Sequence, residues 1–352
     1  MLVAEFLRAF ALDKAAAWDP VGLQLGDPMA ELDRVGVCHD VTEQVVEASG
    51  DLDLLVAYHP LLFKPFTRLV VGPGPTGRAY RLVRQGIGLA TVHTAWDAAP
   101  GGSADALASA VGLRQSRPFG MIEPTRTKKL ITFVPPDDVD HLLAALVEAG
   151  AGTIGRYRGC SFRSPGIGSF LPSEGSQPTL GNVGEQTATE ESRVEVIVPA
   201  SAVSAVVAAV LASHPYEEPA FDLVDTVSNA GLIGRVGEFE GDFADLVHQL
   251  REGFGPGVRI AAPPSPRAKT VAVLPGSGGS FIDDAARSGA GVFVTGDVSH
   301  HQVIEALDRG MAVIDIGHAA SERPGVKALL EQAGKMGPTV VDLSFEPIPW
   351  YL

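Results

Sequence analysis

Cysteine is almost missing from this chain: its two copies in 352 residues, Cys38 and Cys160, lie far apart and form no CxxC pair. That excludes a disulfide framework and a thiolate zinc cluster as organising features, and makes a reducing cytoplasm the expected compartment. Basic residues are scarce as well. Lys and Arg total 27 against 42 Asp and Glu, a formal net charge of −15, so nucleic acid and anionic membrane surfaces are repelled on average and neither is expected as a partner. Long apolar runs are lacking too. The longest small-apolar stretch, Ala200 to Ala212, falls short of the roughly 20 residues that cross a bilayer. The first residues, MLVAEFLRAF, carry Glu5 and Arg8 inside the apolar pattern, as an amphipathic helix does and a signal peptide does not.

What the chain does have is 45% hydrophobic and 20% charged residues, the composition of a packed globular protein, with length for two to three domains. It also has nine histidines. Imidazole and carboxylate together suit zinc, iron or manganese, so the question is where they gather.

Short apolar runs alternate with helical periodicity from Arg34 to Ala110 (RVGVCHDVT, DLLVAYHPLLF and GLATVHTAWD each precede a helical pattern), and again from Lys269 to the C-terminus. This predicts an α/β fold with two lobes and largely parallel sheets. Between them, KKLITFVP, DDVDHLLAALVEAG, CSFRS plus GSFLP (two short strands around a Gly/Pro turn, counted together), the polar loop SEGSQPTLGNVGEQTATEES, RVEVIVP, ASAVSAVVAAVLASH and AFDLVDT read as β-α-β-β-α-β. That is a ferredoxin-like α+β insertion. The expected domains are therefore an N-terminal lobe over residues 1–124, the insertion over 125–230 and a C-terminal lobe over 231–352 that completes the core.

Four polar clusters follow directly on expected strands: Tyr58-His59-Pro60, His93 to Asp97, Thr295-Gly296-Asp297 and Gly317-His318. The carboxyl ends of parallel strands share one edge, where ligands bind in open α/β sheets, so the four can converge. His318 and Glu322 stand four apart at a helix start and project from one face, either to hold a metal together or to complement the helix dipole. His93 reads as an extended-turn residue four before Asp97, a partner of that carboxylate or a proton carrier. His300 and His301 follow Asp297 and Ser299 at a helix start, where capping and a catalytic role are both open. His39, His141 and His248 have no useful company in sequence and read as structural or surface residues. The loop Pro275 to Ser280 lacks the Lys-Ser/Thr of a P-loop and reads as a tight βα turn, with anion binding through its backbone N–H groups as the alternative. HPYEEPAFD (His214 to Asp222) reads as a helix-to-strand connection within the insertion.

VGLQLGD, DVTEQVVEA, HPLLFKP, HTAWDAAPGG, TGDVSHH and DIGHAASE, in this order along nearly the whole chain, resemble the GTP cyclohydrolase 1 type 2 homologue family of NIF-three-like dinuclear-metal proteins. GRYRGCSFRSPGIGSFLP and HPYEEPAFD are similar to the insertion of its longer bacterial members. The resemblance implies two divalent metals, with His59, Asp97, His318 and Glu322 as ligands and Glu322 bridging. It also implies a homohexameric toroid. One position departs: Tyr58 stands where most bacterial members have a further histidine, and a phenol binds zinc poorly unless deprotonated, so the second metal position is in doubt.

The resulting expectation is a metal-dependent hydrolase with one or two zinc, iron or manganese ions. Metal-activated water would attack a small-molecule substrate, with His93 or His301 moving protons. GTP, with water adding to its purine at C8, is what the resemblance implies; a phosphoester would use the same site. The alternatives are a non-catalytic metal-binding, metal-handling or regulatory protein, and a scaffold in which the polar clusters are incidental turns.

Overall fold

In the computed structural model, residues 1–122, 126–154, 157–227 and 231–344 are described. The chain opens with α1 (Val3–Leu7) and β1 (Gly22–Leu25), then alternates β2 (Arg34–Cys38), α2 (Glu43–Ala48), β3 (Leu54–Ala57), α3 (Pro75–Gln85) and β4 (Gly88–Thr91). Two successive helices, α4 (His93–Ala98) and α5 (Ser103–Ala110), precede β5 (Arg114–Met121). The middle holds β6 (Arg126–Val134), α6 (Val139–Glu148), β7 (Ser161–Phe170), β8 (Thr187–Pro199), α7 (Val203–Ser213) and β9 (Phe221–Val227). Alternation resumes with β10 (Leu232–Glu238), α8 (Phe243–Phe254), β11 (Arg259–Ala261), β12 (Thr270–Ser277), α9 (Ile282–Arg287), β13 (Val292–Gly296), α10 (His300–Asp308), β14 (Ala312–Asp315), α11 (His318–Gly334) and β15 (Thr339–Asp342). The chain divides into two compact units, Met1–Pro124 with Asn229–Leu352, and Thr125–Ser228. Among the described residues no helix is long and apolar enough to cross a membrane.

The larger unit is built on two sheets. The first runs β1-β4-β3-β2-β15, with β4, β3, β2 and β15 mutually parallel and β1 antiparallel at one edge. Every residue of β3 (LLVA) and β4 (GLAT) is buried, because helices cover both faces and leave no solvent side for polar alternation. Phe6, Phe10, Val326 and Leu329 pack on one face, and Val45, Val46, Ala79 and Leu82 on the other. The second sheet runs β11-β14-β13-β12-β10-β5. Its parallel centre, β14-β13-β12, is flanked by antiparallel strands on both sides. Ile282, Ala285 and Ala306 cover one face of it, and Leu107, Leu246 and Leu250 the other.

The smaller unit has the chain order β-α-β-β-α-β, with an antiparallel sheet ordered β7-β8-β6-β9. Here the two short strands expected around a Gly/Pro turn are a single ten-residue strand, β7, running through Pro165 and Gly166. β7 is an edge strand that pairs only with β8, so the missing N–H of Pro165 need not cost a ladder bond. β8 begins at Thr187, inside SEGSQPTLGNVGEQTATEES, which reads in sequence as a polar loop.

Candidate metal centre

The carboxyl ends of parallel strands from both sheets meet at one carboxylate. β2 ends at Cys38 and delivers His39 and Asp40; β3 ends at Ala57 and delivers Tyr58 and His59; β4 ends at Thr91, just before His93. From the second sheet, β13 delivers Asp297 and β14 leads to His318 at the first position of α11. Glu322, one turn further along that helix, is 2% exposed and is the point on which these groups converge.

Around Glu322 the distances are short. Its Oε2 lies 2.8 Å from His39 Nε2 and 3.5 Å from His59 Nε2, and its Oε1 lies 3.1 Å from His318 Nε2. The His39 and His59 rings stack with centroids 4.7 Å apart. His39, His59 and Glu322 each offer a ligand atom within 4.8 Å of the others, a spacing that suits one cation. The outer ring nitrogens are also engaged. Asp40 Oδ1 lies 3.0 Å from His59 Nδ1, and Asp297 Oδ2 lies 2.7 Å from His318 Nδ1. Carboxylates at Nδ1 fix the tautomer that leaves Nε2 for a metal, so the residues present fit a divalent ion.

Backbone geometry is specialised for this arrangement. Asp297 has φ +53° and His93 φ +24°, left-handed values for non-glycine residues whose side chains both face the cluster. Gly276, buried near the end of β12, which takes in Pro275 to Ser277 where a tight turn is expected from Pro275 on, has φ +69°, and a Cβ there would stand 2.6 Å from Glu322 Oε1. Its N–H donates to Ser321 Oγ at 2.8 Å, tying the end of β12 to the first turn of α11. Gly276→Ala is therefore expected to push Glu322 out of register and weaken metal binding about 10- to 100-fold, the usual scale for losing a residue that orients a ligand. Isothermal titration with the metal measures it; an unchanged affinity would show that Glu322 does not need this clearance.

Electrostatics couple the group tightly. Burial works against the Glu322 carboxylate, but hydrogen bonds from His318, His39 and His59 hold it well below the usual range. Burial likewise opposes the His59 imidazolium, yet Asp40 and Glu322 outweigh it and raise the pKa to about 10. His318 is raised chiefly by its bond to Glu322. Asp97 is raised to about 6, mainly by burial.

The expected residues are therefore distributed unevenly. His59, His318 and Glu322 are brought together. Asp97 is 6% exposed and accepts a short hydrogen bond from the Tyr58 hydroxyl, outside the three-residue group. His93 opens α4 and so shares a helix with Asp97, where an extended turn was expected. A buried aspartate absent from the sequence reading, Asp19, sits behind it: Oδ2 lies 3.0 Å from His93 Nδ1 and accepts from Thr94 N at 3.0 Å. His300 and His301 are both exposed on the first turn of α10, where Ser299 N–H donates to Gln302 Oε1 at 2.9 Å and their rings face each other at 5.7 Å. This is the capping arrangement, and His301 makes no ring contact with the cluster among the described residues.

The largest correction concerns His39. It reads in sequence as a structural or surface residue, yet it is buried and 2.8 Å from Glu322. Its signal was available: Cys38-His39-Asp40 follows a strand just as Tyr58-His59 does. His141 and His248 are exposed, the latter 3.7 Å from Glu252 one turn away. His214 is buried in the smaller unit, its Nε2 2.9 Å from the Phe133 carbonyl, in the connection from α7 to β9.

Comparison with known proteins gives concordant results. The family model described as Duf34/NIF3 (NGG1p interacting factor 3) matches residues 2–348. A Mycobacterium tuberculosis relative named "GTP cyclohydrolase 1 type 2 homolog" is 38% identical over 327 residues, covering 90% of this chain and 86% of its own. A Bacillus subtilis relative of the same name is 37% identical over 322 residues, covering 88% and 84%. Among solved structures, a Bacillus cereus protein related to NIF3 aligns over 100% of this chain and 99% of its own, at 30% identity and a TM-score of 0.66.

Proposed function

Because the chain belongs to the Duf34/NIF3 family and carries a buried glutamate ringed by imidazoles, we propose that it is a divalent-metal-dependent hydrolase of a nucleotide-like substrate. The observation that carries this reading is the convergence of His39, His59 and Glu322 within 4.8 Å. These three would hold the ion, with His318 Nε2 beside Glu322 as a further donor. A divalent cation there supplies Lewis acidity toward a carbonyl or phosphoryl oxygen and lowers the pKa of water.

The remaining groups bind substrate and move protons. A cavity of about 500 Å³ opens beside His59 and Asp40, lined also by Thr42, Gln44, Leu61 and Arg78. Arg78 stands in its wall together with Glu43, from which its Nη1 lies 3.4 Å, and the rest of its guanidinium would be the donor for a phosphate. His93, its ring 5.3 Å from that of His59 and its Nδ1 3.0 Å from Asp19 Oδ2, would carry a proton to or from the reacting group. The relatives' name makes GTP the first substrate to test.

The decisive experiment uses protein prepared without a histidine tag and loaded with zinc, manganese or ferrous iron. GTP and a simple phosphoester are offered to it and to Glu322→Ala. Turnover by the loaded protein alone is expected, with purine ring-opening and phosphate release read separately. If the loaded protein hydrolyses neither substrate above the Glu322→Ala control, it is not the proposed hydrolase, and a metal-handling role becomes the better account.

A further inference from the structure

Tyr58 and His39 stand side by side on neighbouring parallel strands. Cys38 and Ala57 are register partners, Tyr58 N–H donates to the Cys38 carbonyl at 3.0 Å, and His59 N–H to that of His39 at 2.9 Å. The Tyr58 ring is 5.3 Å from His39 and 5.1 Å from His59, in the wall of the imidazole cluster. It offers that cluster no nitrogen. Its side chain is fully buried, where a phenol O–H must find an acceptor, and the acceptor is Asp97 Oδ1.

Two consequences follow from this pair. Asp97 is committed to a neutral donor and stands outside the one group of three ligand-capable side chains found among the described residues. Meanwhile the imidazole that position 58 lacks is presented to Glu322 from one strand over, by His39 at 2.8 Å. We propose that the chain binds one divalent ion, with His39, His59 and Glu322 as its ligands, and that Tyr58 fixes this number by engaging Asp97. This rests on the metal-binding reading above and departs from the two-ion arrangement that the sequence resemblance implies. His39 and Tyr58 thus act oppositely: one supplies a donor to the ion, the other withholds a carboxylate from a second one.

The test is a count of metal per chain after loading tag-free protein with excess manganese or zinc and removing free ion, by elemental analysis. The expected count is one for the natural chain and one for Tyr58→Phe, which deletes the O–H yet adds no ligand. Tyr58→His, which offers an imidazole beside Asp97 and Glu322, is expected to raise it to two. His39→Ala is expected to weaken the single site at least tenfold in competition with a chelating dye. Two ions in the natural chain, an unchanged affinity in His39→Ala, or a count of one in well-folded Tyr58→His would each overturn the inference while leaving metal binding intact. A count of zero in the natural chain would instead overturn the underlying reading. Should Tyr58→His fail to fold, the natural count and the His39→Ala affinity decide.

Discussion

Glu322→Ala is expected to remove metal binding altogether on the micromolar scale, a loss well beyond the 10- to 100-fold that follows from disturbing an orienting residue. Among the described residues no other side chain reaches all three imidazoles. Both oxygens are in use, Oε2 toward His39 and His59 and Oε1 toward His318. The same substitution should destabilise the metal-free protein. His59 holds its proton up to a pKa of about 10 because Asp40 and Glu322 face it, and deleting Glu322 leaves a partly buried cation with the exposed Asp40 as its remaining anion. Removing one partner of a buried ion pair costs about 3–5 kcal/mol, and the His59 side chain, at 22% exposure, places this case toward the lower end. Thermal unfolding in EDTA reads the second effect and metal titration the first. Full metal affinity in a folded Glu322→Ala protein would show that the ion sits elsewhere. Full stability in EDTA would show that the imidazoles had simply shed their protons.

The sequence discloses the architecture wherever one physical rule dominates. Strands buried on both faces read as unbroken apolar runs, so LLVA and GLAT are recognisable without the structure. The same rule locates strand ends, and hence Tyr58-His59, His93 and His318, because polar residues can resume only where the sheet stops. His318 and Glu322 are legible for another reason: helical spacing places residues four apart on one face. His39 follows the same strand-end logic, but the charged residues near it in sequence, Asp40 and Glu43, are not the ones that define its place; its partners Glu322 and His59 are brought to it only by the fold. Asp19 carries no signal at all, since it contacts His93 across 74 residues of chain. β7 reads as two strands because a proline in a strand reads as a break, and only the sheet order reveals that an edge position tolerates it. Local rules thus yield the elements and the edge at which the site is built, whereas its membership depends on which strands lie side by side.

Above pH 6.5 the metal-free protein should lose stability as pH rises, while the metal-loaded protein should not. In the metal-free state the His59 pKa is raised from 6.5 to about 10 by Asp40 and Glu322. Between those values the native protein keeps a proton that the unfolded chain has released. The stabilisation is complete below pH 6.5 and is lost as pH rises through 10, at no more than about 1.4 kcal/mol per pH unit for one proton. Glu322 works at the other end: its pKa is depressed, so its contribution is present above its unfolded value of 4.5 and is lost as pH falls through the folded value. Metal cancels the alkaline limb. An imidazole nitrogen that binds an ion cannot also hold a proton, so alkali removes the competitor and tightens binding, and ligand-induced stability grows with metal affinity. Melting temperatures measured from pH 6.5 to 9 in EDTA should fall, while the increment produced by a fixed excess of manganese should widen. His59→Asn should flatten the EDTA curve and shrink the increment together, because one imidazole carries both effects. Parallel curves with and without manganese would mean that the proton on His59 and the ion do not compete, and so that His59 is not a ligand.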